Sequence, residues 1–211
     1  MSLVFPRKIT PSPFQASETD AKKVVMDKKE LQELVHDKLK DYLFIIVSNR
    51  EPYIHTWVGE EIRYSKPASG VTIALDPVMQ ACGGIWIAHG SGDADTEVVD
   101  QESKLSVPPE APQYTLKRVW LSKEEEAGYY DGFSNQALWP LCHIVYVKPK
   151  FDEKEWNTYK EVNQLFADAV CAEVEMEGNH KNAFVFIQDY HLTLLARKIK
   201  ERCPGVVSAQ F

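Results

Sequence analysis

Three short segments rich in apolar residues organise the chain. They are Tyr42 to Val47, which stops at Ser48, Ala183 to Ile187, which stops at Gln188, and Val206 to Phe211. Short apolar runs without polar alternation are typical of strands that are buried on both faces, as in a parallel sheet. The three runs therefore predict three buried strands.

A helical pattern separates the second and the third run. Leu192, Leu195 and Ile199 recur at the spacing of one helix face, Arg202 lies in the last turn, and the Pro-Gly pair at 204–205 ends the helix. A strand, a helix and a strand in this order are the βαβ unit of a parallel sheet.

Further elements lie between the first two runs. Gly84 to Ala88 and Arg118 to Leu121 are interpreted as short strands, and Ile73 to Cys82 and Glu153 to Val174 as helices. Residues 92–116 are polar and contain prolines, so we expect a surface loop there. Strands that alternate with helices predict the α/β class, with a parallel sheet flanked by helices.

The N-terminal part of the chain has a different pattern. Residues 1–15 contain three prolines and predict a loose arm. Ser17 with Asp20 resembles a capping box, and apolar residues at helical spacing up to Leu39 predict an amphipathic surface helix of about two dozen residues. The predicted division is an arm and helix over 1–40 and a half-domain over 41–211.

Composition narrows the classes of function. Lys and Arg number 24 and Asp and Glu 31, so the net charge is −7, and no basic run is present to bind nucleic acid. The longest apolar run is far shorter than the ~20 residues of a membrane helix. Four cysteines, at 82, 142, 171 and 203, form no CxxC pair, so we expect reduced thiols in a cytoplasmic protein without a metal.

Polar residues that end the predicted strands are the first candidates for a site, because ligands of open parallel sheets bind beyond the carboxyl ends of the strands. Arg50 could bind a phosphate through two parallel hydrogen bonds, or it could pair with a surface carboxylate. Asp189 could accept hydrogen bonds from sugar hydroxyls, or it could cap the helix that follows. His191 on its own is more often a packed histidine than a catalyst.

Two further segments are candidates for binding. Gly70 precedes a helix, where a backbone amide can approach an anion, although a single glycine is equally typical of a simple turn. The stretch from Gly128 to His143 concentrates aromatic, hydroxyl and amide groups, which suit a sugar. Within it, Phe133 is predicted in the core, whereas Tyr130 and Trp139 are balanced between the core and a binding role.

Taken together, these segments resemble the trehalose-6-phosphate synthase family of retaining glycosyltransferases. The stretches that carry the resemblance occur in family order over most of residues 42–211: VSNREPY (47–53), ASGVTIAL (68–75), GGIWIAHGSG (83–92), YYDGFSNQALWPLCH (129–143), WNTYKEVNQLFADAV (156–170) and QDYHLTLLARKIKERCPG (188–205). Residues 1–40 have no matching counterpart.

The resemblance implies the acceptor-side, N-terminal half of a GT-B fold, in which two Rossmann-like halves face each other across a cleft. It also implies transfer of glucose from a nucleotide sugar such as UDP-glucose to glucose 6-phosphate, with retention of configuration and without a metal or other cofactor. The donor-binding half that the family requires does not follow in this chain. We therefore expect a truncated chain that is inactive alone and that exposes an edge prone to self-association.

By match to the family's motifs, the resemblance also assigns roles to residues. Arg50 would hold the acceptor phosphate with help from Tyr130, and Trp139 would pack on the acceptor sugar. Asp189, the expected catalytic residue, would accept the sugar's hydroxyls, and Gly70 would approach the donor diphosphate.

Three departures from the family pattern leave the acceptor open. Ser69 stands where the family usually has Gly, Gln188 replaces a frequent His, and His89 replaces a common Trp that helps to line the pocket. Another phosphorylated acceptor, such as glycerol 3-phosphate, is one alternative, and a sugar-phosphate-binding module without catalysis is another. Residues 54–66 have the length of a hairpin inserted between Arg50 and Gly70.

Overall fold

A computed structural model describes residues 28–39, 42–176 and 182–211. The strands are β1 (Leu43–Ser48), β2 (Ile54–Val58), β3 (Glu61–Ser65), β4 (Ile85–His89), β5 (Lys104–Val107), β6 (Tyr114–Val119), β7 (Ala183–Ile187) and β8 (Val207–Gln210). The helices are α1 (Lys28–Leu39), α2 (Gly70–Cys82), α3 (Lys123–Glu126), α4 (Trp139–His143), α5 (Glu153–Met176) and α6 (Leu195–Arg202). A π-helix, Ala127–Leu138, joins α3 to α4, and short 3-10 turns occupy Asp95–Glu97 and Tyr190–Leu192.

Six strands form one sheet in the order β5-β6-β4-β1-β7-β8. All neighbours pair in parallel except β5 and β6, which are antiparallel at one edge. The central strand β1 aligns Ile45 with Ile85 of β4 on one side and with Val185 of β7 on the other. The predicted parallel α/β sheet is therefore confirmed.

Helices cover both faces of this sheet. On one face, α5, α6 and the π-helix bury a large apolar cluster that includes Val47, Ile187, Phe166 and Tyr159. On the other face, Ile46, Trp86 and Leu116 pack with residues of α2 such as Met79. Because β1 supplies Val47 to one face and Ile46 to the other, its apolar run is continuous, without alternation.

Several predicted boundaries shift by a few residues, and one prediction is wrong. Residues 92–116, expected as a surface loop, contain β5 and the first half of β6. Along β6, Tyr114, Leu116 and Arg118 are buried and alternate with Thr115 and Lys117, which are half-buried. A strand with alternating polar residues has no continuous apolar run, so the pattern that identified β1 and β7 missed it.

The remaining predictions have mixed outcomes. The hairpin over 54–66 is confirmed by β2 and β3, which pair in antiparallel fashion. The single helix expected from Leu192 divides into the turn Tyr190–Leu192 and α6. Helix α1 begins at Lys28, whereas the predicted arm and the capping box at Ser17 lie outside the described residues. The division at residue 40 stays a prediction.

Two expectations concern the chemistry of the chain as a whole. All four cysteines are free thiols, as expected. Among the helices of the described residues, none combines the length and the apolar character that crossing a bilayer requires.

Candidate functional site

The carboxyl ends of β1, β4 and β7 meet at one edge of the sheet, because these strands are parallel neighbours. Arg50 lies two residues beyond β1, His89 is the last residue of β4, and Asp189 lies two residues beyond β7. The topology alone therefore brings residues from distant parts of the chain to the edge where ligands of open parallel sheets bind.

Arg50 has a fixed backbone and an accessible side chain. The Ser48 hydroxyl donates to the Arg50 carbonyl at 2.6 Å, and the Trp86 indole N–H donates to that hydroxyl at 2.8 Å. The guanidinium donates to the hydroxyl of Tyr130 at 3.4 Å. Among the residues that the structure describes, no carboxylate pairs with Arg50, so the alternative of a surface ion pair is not observed.

Arg50 and Tyr130 line a cavity of about 150 Å³. A cavity of this size accommodates about one six-membered ring, since benzene fills an engineered cavity of roughly that volume. The wall carries cationic, acidic and hydroxyl groups rather than apolar side chains alone. Its lining residues are Asn49, Arg50, Glu51, Ile54, Pro67, His89, Ser91, Glu126 and Tyr130.

The π-helix brings Tyr130 to this cavity. π-Helical turns are rare overall but often occur at functional sites. Here the amide N–H of Trp139 donates a hydrogen bond to the carbonyl of Ser134, five residues back. Tyr129 and Phe133 point into the core, so the prediction that Phe133 is a core residue is confirmed. Tyr130 is half-buried, and Trp139 is 39% exposed to solvent.

A row of aromatic rings connects Tyr130 to Trp139. Tyr130 stacks on His191 at 5.2 Å between ring centroids, and His191 stacks on Tyr190 at 4.3 Å. The rings of His143 and Tyr190 are nearly perpendicular, with centroids 5.9 Å apart, and His143 stacks on Trp139 with centroids 4.9 Å apart. Ring contacts therefore link Tyr130 to Trp139 through the buried His191, although Trp139 does not line the cavity.

His191 is buried within this row as a neutral ring. Burial, and to a lesser extent the charge on Arg50, lower the pKa of His191 to about 4. Neither ring nitrogen has a hydrogen-bond partner among the described residues. The interpretation of His191 as a packed histidine is therefore confirmed.

Asp189 adopts an unusual backbone conformation, with φ 64° and ψ 169°. This region is sparsely populated by residues other than glycine and costs of order 1–3 kcal/mol. The side chain makes no capping hydrogen bond, so the alternative role as a helix cap is not observed. Burial raises the pKa of Asp189, and the charge of nearby His143 opposes the shift.

Gly70 is not in direct contact with these residues. It is the first residue of α2, and a Cβ built there would meet no atom within 4 Å. Pro67, three residues earlier, lines the cavity, so the start of α2 lies close to it. The Ser69 side chain makes no capping hydrogen bond, so it does not occupy the backbone N–H groups at the start of α2.

His89 lines the cavity as an acceptor of hydrogen bonds. Its Nδ1 lies 3.2 Å from the carbonyl oxygen of Val119, which can only accept, so Nδ1 carries the proton and Nε2 does not. Burial lowers the pKa of His89, which keeps the ring neutral.

Sequence reasoning missed a buried ionic cluster beside the cavity. Arg118 of β6 is 2% exposed and forms ion pairs with Glu51 at 2.9 Å and with Asp95 at 2.7 Å. Its signal in the sequence is weak, because Asp95 lies in the stretch predicted as a surface loop and Arg118 is predicted only as the first residue of a short strand, while Glu51 simply follows Arg50. Within the described residues, no cluster of three metal-ligating side chains occurs.

The arrangement combines an accessible guanidinium, a phenol hydroxyl, a desolvated carboxyl and a row of aromatic faces. A guanidinium with an adjacent hydroxyl is suited to a phosphate. Aromatic faces and a carboxylate are suited to a sugar ring, whose C–H faces stack and whose hydroxyls donate. The site therefore fits a small phosphorylated polyol.

Comparison with known proteins supports the same assignment. The family model described as "Glycosyltransferase family 20" matches residues 42–211. A trehalose-6-phosphate synthase of Mycolicibacterium smegmatis is 35% identical over 170 residues, which are 80% of this chain and 31% of that protein. The chain thus spans about a third of the length of such relatives.

Solved structures share the fold. A trehalose-6-phosphate protein from E. coli, bound with UDP-2-fluoro glucose, has a TM-score of 0.54 and 26% identity over 75% of this chain and 30% of its own. An alpha,alpha-trehalose-phosphate synthase from Burkholderia xenovorans, in complex with glucose-6-phosphate, has a TM-score of 0.55 and 24% identity over 79% of this chain and 32% of its own.

Proposed function

The chain belongs to glycosyltransferase family 20, and from this membership we propose that it forms the acceptor-binding half of a trehalose-6-phosphate synthase. The complete enzyme would transfer glucose from a nucleotide sugar such as UDP-glucose to glucose 6-phosphate with retention of configuration. The single observation that carries the proposal is the convergence of Arg50 and Tyr130 on a ring-sized cavity that continues into an aromatic row.

Binding begins at the phosphate of the acceptor. Among the described residues, the guanidinium of Arg50 hydrogen-bonds only to Tyr130. It can therefore donate to two phosphate oxygens while the Tyr130 hydroxyl donates to a third. Trp139 and the rings between it and Tyr130 offer faces for the sugar. Asp189, partly desolvated and raised in pKa, accepts the sugar's hydroxyls and fixes the orientation of the ring.

The chemical step requires little from this half beyond orientation. In a retaining transfer of this type, the donor phosphate takes the acceptor's proton as the glycosidic bond forms and the nucleoside diphosphate leaves. Holding the acceptor hydroxyl at the donor's reactive carbon lowers the barrier by removing translational and rotational freedom. The start of α2 at Gly70 would direct backbone N–H groups towards the donor diphosphate.

Partners follow from the same proposal. The donor-binding half would cover the edge of the sheet where the cavity opens, and the nucleotide sugar would lie between the two halves. The free thiols fit a reducing compartment, so we place the protein in the cytoplasm. Without a covering half, the exposed apolar side chains Val207 and Phe211 favour self-association.

One observation favours a second candidate function, transfer to a different phosphorylated acceptor such as glycerol 3-phosphate. His89 lines the cavity with a ring whose Nε2 is unprotonated, at a position where the resemblance implies a common Trp. A hydrogen-bond acceptor in place of a flat apolar ring favours a ligand that donates a hydroxyl at this point. A binding module without catalysis would have the same site and no transfer activity.

Titration of the chain with glucose 6-phosphate, glycerol 3-phosphate and inorganic phosphate by calorimetry tests the proposal. We expect glucose 6-phosphate to bind most tightly and Tyr130→Phe to weaken it, while the exposed control Tyr146→Phe binds as the wild type does. Equal affinity for glucose 6-phosphate and inorganic phosphate would show that the sugar is not recognised, and tighter binding of glycerol 3-phosphate would select the second candidate.

A transfer assay separates the enzyme from the binding module. The chain combined with a donor-binding half from a relative should form a disaccharide phosphate from UDP-glucose and glucose 6-phosphate. Binding of the acceptor without any product in this assay would favour the module.

A further inference from the structure

The guanidinium of Arg118 holds several separate segments together. Its Nε donates to Glu51 at 2.9 Å, and its two terminal nitrogens donate to the carbonyls of Tyr53 at 3.0 Å and Asp95 at 2.7 Å. It also contacts the Asp95 carboxylate at 2.7 Å and Nδ1 of His55 at 2.8 Å. The loop after β1, the strand β2 and the loop after β4 are therefore joined at one buried cation.

Glu51 connects this cluster to the cavity. It is the next residue after Arg50, it lines the same cavity, and it is 1% exposed. One of its carboxyl oxygens accepts from both the amide and the hydroxyl of Ser91, which also lines the cavity. The wall on this side of the cavity is thus fixed from behind by Arg118.

The charges of the cluster do not balance if both carboxyls are ionised. Arg118 contacts both carboxyls, and Nδ1 of His55 lies 2.8 Å from the guanidinium and 3.3 Å from Asp95 Oδ1. Among the described residues, Arg118 is the only permanent cation that contacts the carboxylates of Glu51 and Asp95, all of them buried. An uncompensated buried charge is costly, so one carboxyl should retain a proton.

The hydrogen bonds identify which carboxyl retains it. Asp95 accepts from Arg118 at 2.7 Å, from the amide of His55 at 2.7 Å and from the amide of Gly92 at 2.7 Å, so its anion is well satisfied. Glu51 also accepts from three donors, the amide and the hydroxyl of Ser91 and Nε of Arg118, but these bonds are longer, at 2.9, 3.0 and 2.9 Å, and its carboxyl interacts with that of Asp95. Shorter hydrogen bonds are typical of an ionised acceptor, which favours Asp95 as the anion. The proton therefore belongs to Glu51, directed towards Asp95.

We propose that Arg118 and a protonated Glu51 are positioning residues for Arg50, and that their electrically neutral cluster lets the cavity accept a phosphate dianion. The inference rests on the proposed function, because it concerns the same acceptor site. Ionisation of Glu51 would place a net negative charge in the wall beside Arg50 and weaken the binding of an anion.

The electrostatics agree with this assignment. Burial, and then the hydrogen bond with Asp95, raise the pKa of Glu51 to about 8 against the opposing charge of Arg118. Burial alone would raise the pKa of Asp95, but its hydrogen bonds and Arg118 outweigh burial and lower it. The wall should therefore be neutral at pH 7 and negative at pH 9.5.

The other groups around Glu51 do not produce the same pH dependence. Burial lowers the pKa of His89, so the ring is neutral from pH 7 upwards. Glu126 is ion-paired with Lys123 at 3.0 Å, and a sugar phosphate loses its second proton near pH 6. The groups that face Glu51 or its cavity are Arg50 on the adjacent backbone, Arg118 on β6, Asp95 after β4, His55 on β2, His89 on β4, Glu126 on α3 and Tyr130 on the π-helix.

Calorimetric titration of the chain with glucose 6-phosphate from pH 7 to 9.5 tests the inference. Wild-type affinity should fall by roughly three- to tenfold, the scale on which one added unit charge acts through a partly solvated protein. Because anion binding favours the protonated carboxyl, binding near pH 8 should take up a fraction of a proton, measured in buffers of different ionisation enthalpy. Glu51→Gln should bind more weakly at pH 7, with a flat pH profile and no proton uptake.

Two further variants separate positioning from a general loss of stability. Arg118→Lys keeps the charge but not the forked donors, and it should weaken binding at least tenfold while the chain remains folded by circular dichroism. Lys117→Gln is the matched control, since Lys117 is the neighbouring residue of β6 and pairs with the buried Glu173 at 2.8 Å. It should leave affinity unchanged.

The outcomes are distinct. Binding of glucose 6-phosphate that is independent of pH from 7 to 9.5 would overturn the inference and leave the proposed function intact. Absence of binding at every pH would count against the proposed function, and the carboxyl carbon shift of Glu51, followed by NMR, would then decide the inference alone. A Glu51 carboxyl that titrates below pH 6 would overturn it.

Discussion

The backbone at Arg50 is fixed by hydrogen bonds, whereas its side chain makes few contacts. Ser48 bonds its carbonyl, and Arg118 holds the next residue, Glu51. The guanidinium itself contacts only the phenol of Tyr130 within the described part of the chain. A cation that is positioned but uncompensated is suited to an anionic ligand, because little protein structure has to be broken when the ligand binds.

Replacing Arg50 tests its role in binding phosphate. Arg50→Ala should weaken the binding of glucose 6-phosphate by roughly 1.5–3 kcal/mol, the scale of a hydrogen bond to a charged group. The control is Arg197→Ala on α6, an exposed arginine paired with Glu201, which should bind as the wild type does. Equal calorimetric affinities for Arg50→Ala and the wild type would exclude Arg50 from the site.

Replacing Asp189 separates stability from binding. Asp189→Gly should raise the free energy of unfolding by about 1 kcal/mol, because relief of a strain of order 1–3 kcal/mol exceeds the entropic cost of glycine. The same change should weaken the binding of glucose 6-phosphate, since the carboxylate is lost. Denaturant unfolding and calorimetry measure the two effects, and Asp189→Ala is the control that loses the carboxylate without relief of strain.

A destabilised Asp189→Gly protein would show that the backbone at this position is not strained. Unchanged affinity in both variants would show that the carboxylate does not contact the ligand.

The individual site residues differ in how far the sequence predicts them. Arg50 and Asp189 follow apolar runs, so the rule for the carboxyl ends of parallel strands is enough to select them. Arg118 and Asp95 could not be selected in the same way, because their importance depends on contacts between segments far apart in the chain. The conformation of Asp189 is likewise invisible in a sequence that has no glycine there.

At the scale of elements, the strands that the sequence predicts well are those buried on both faces. The apolar runs within β1 and β7 contain no polar residue, so these strands are recognised from their residue types alone. The antiparallel edge strand β5 is four residues long and only its last residue is buried, which makes it look like a loop. The π-helix has no sequence signature, since its width depends on how Tyr129 and Phe133 pack against α5.

Helix α5 is the element that covers the largest part of one sheet face. Phe166 is fully buried in the cluster between α5 and the sheet, so Phe166→Ala should lower the free energy of unfolding by about 3–5 kcal/mol. Leu165→Ala, the adjacent and exposed position of the same helix, is the control and should change it by much less. Chemical denaturation that finds similar losses for the two variants would contradict the placement of this helix.

At the scale of the whole molecule, the apolar surface is not fully covered. Residues 144–151 expose several large side chains, and β8 is an edge strand with Val207 and Phe211 exposed. An open edge strand with apolar side chains is a template for pairing with another chain.

We expect the isolated chain to self-associate through the edge at β8. Val207→Lys should shift the concentration dependence of mass in light scattering towards the monomer, because a charge on an edge strand opposes pairing. Ile73→Lys, at an even more exposed apolar site on α2, is the control and should leave self-association unchanged. A wild-type chain that remains monomeric at high concentration would exclude this surface.

The central claim is that Arg50, Tyr130, Trp139 and Asp189 bind one phosphorylated hexose together. A crystal structure of the chain with glucose 6-phosphate is the most direct test. We expect the phosphate to lie within hydrogen-bond distance of the Arg50 guanidinium and the Tyr130 hydroxyl. The sugar ring should pack against the aromatic row, and one of its hydroxyls should donate to Asp189. A ligand that binds elsewhere, or that binds in this cavity with its phosphate directed away from Arg50, would contradict it.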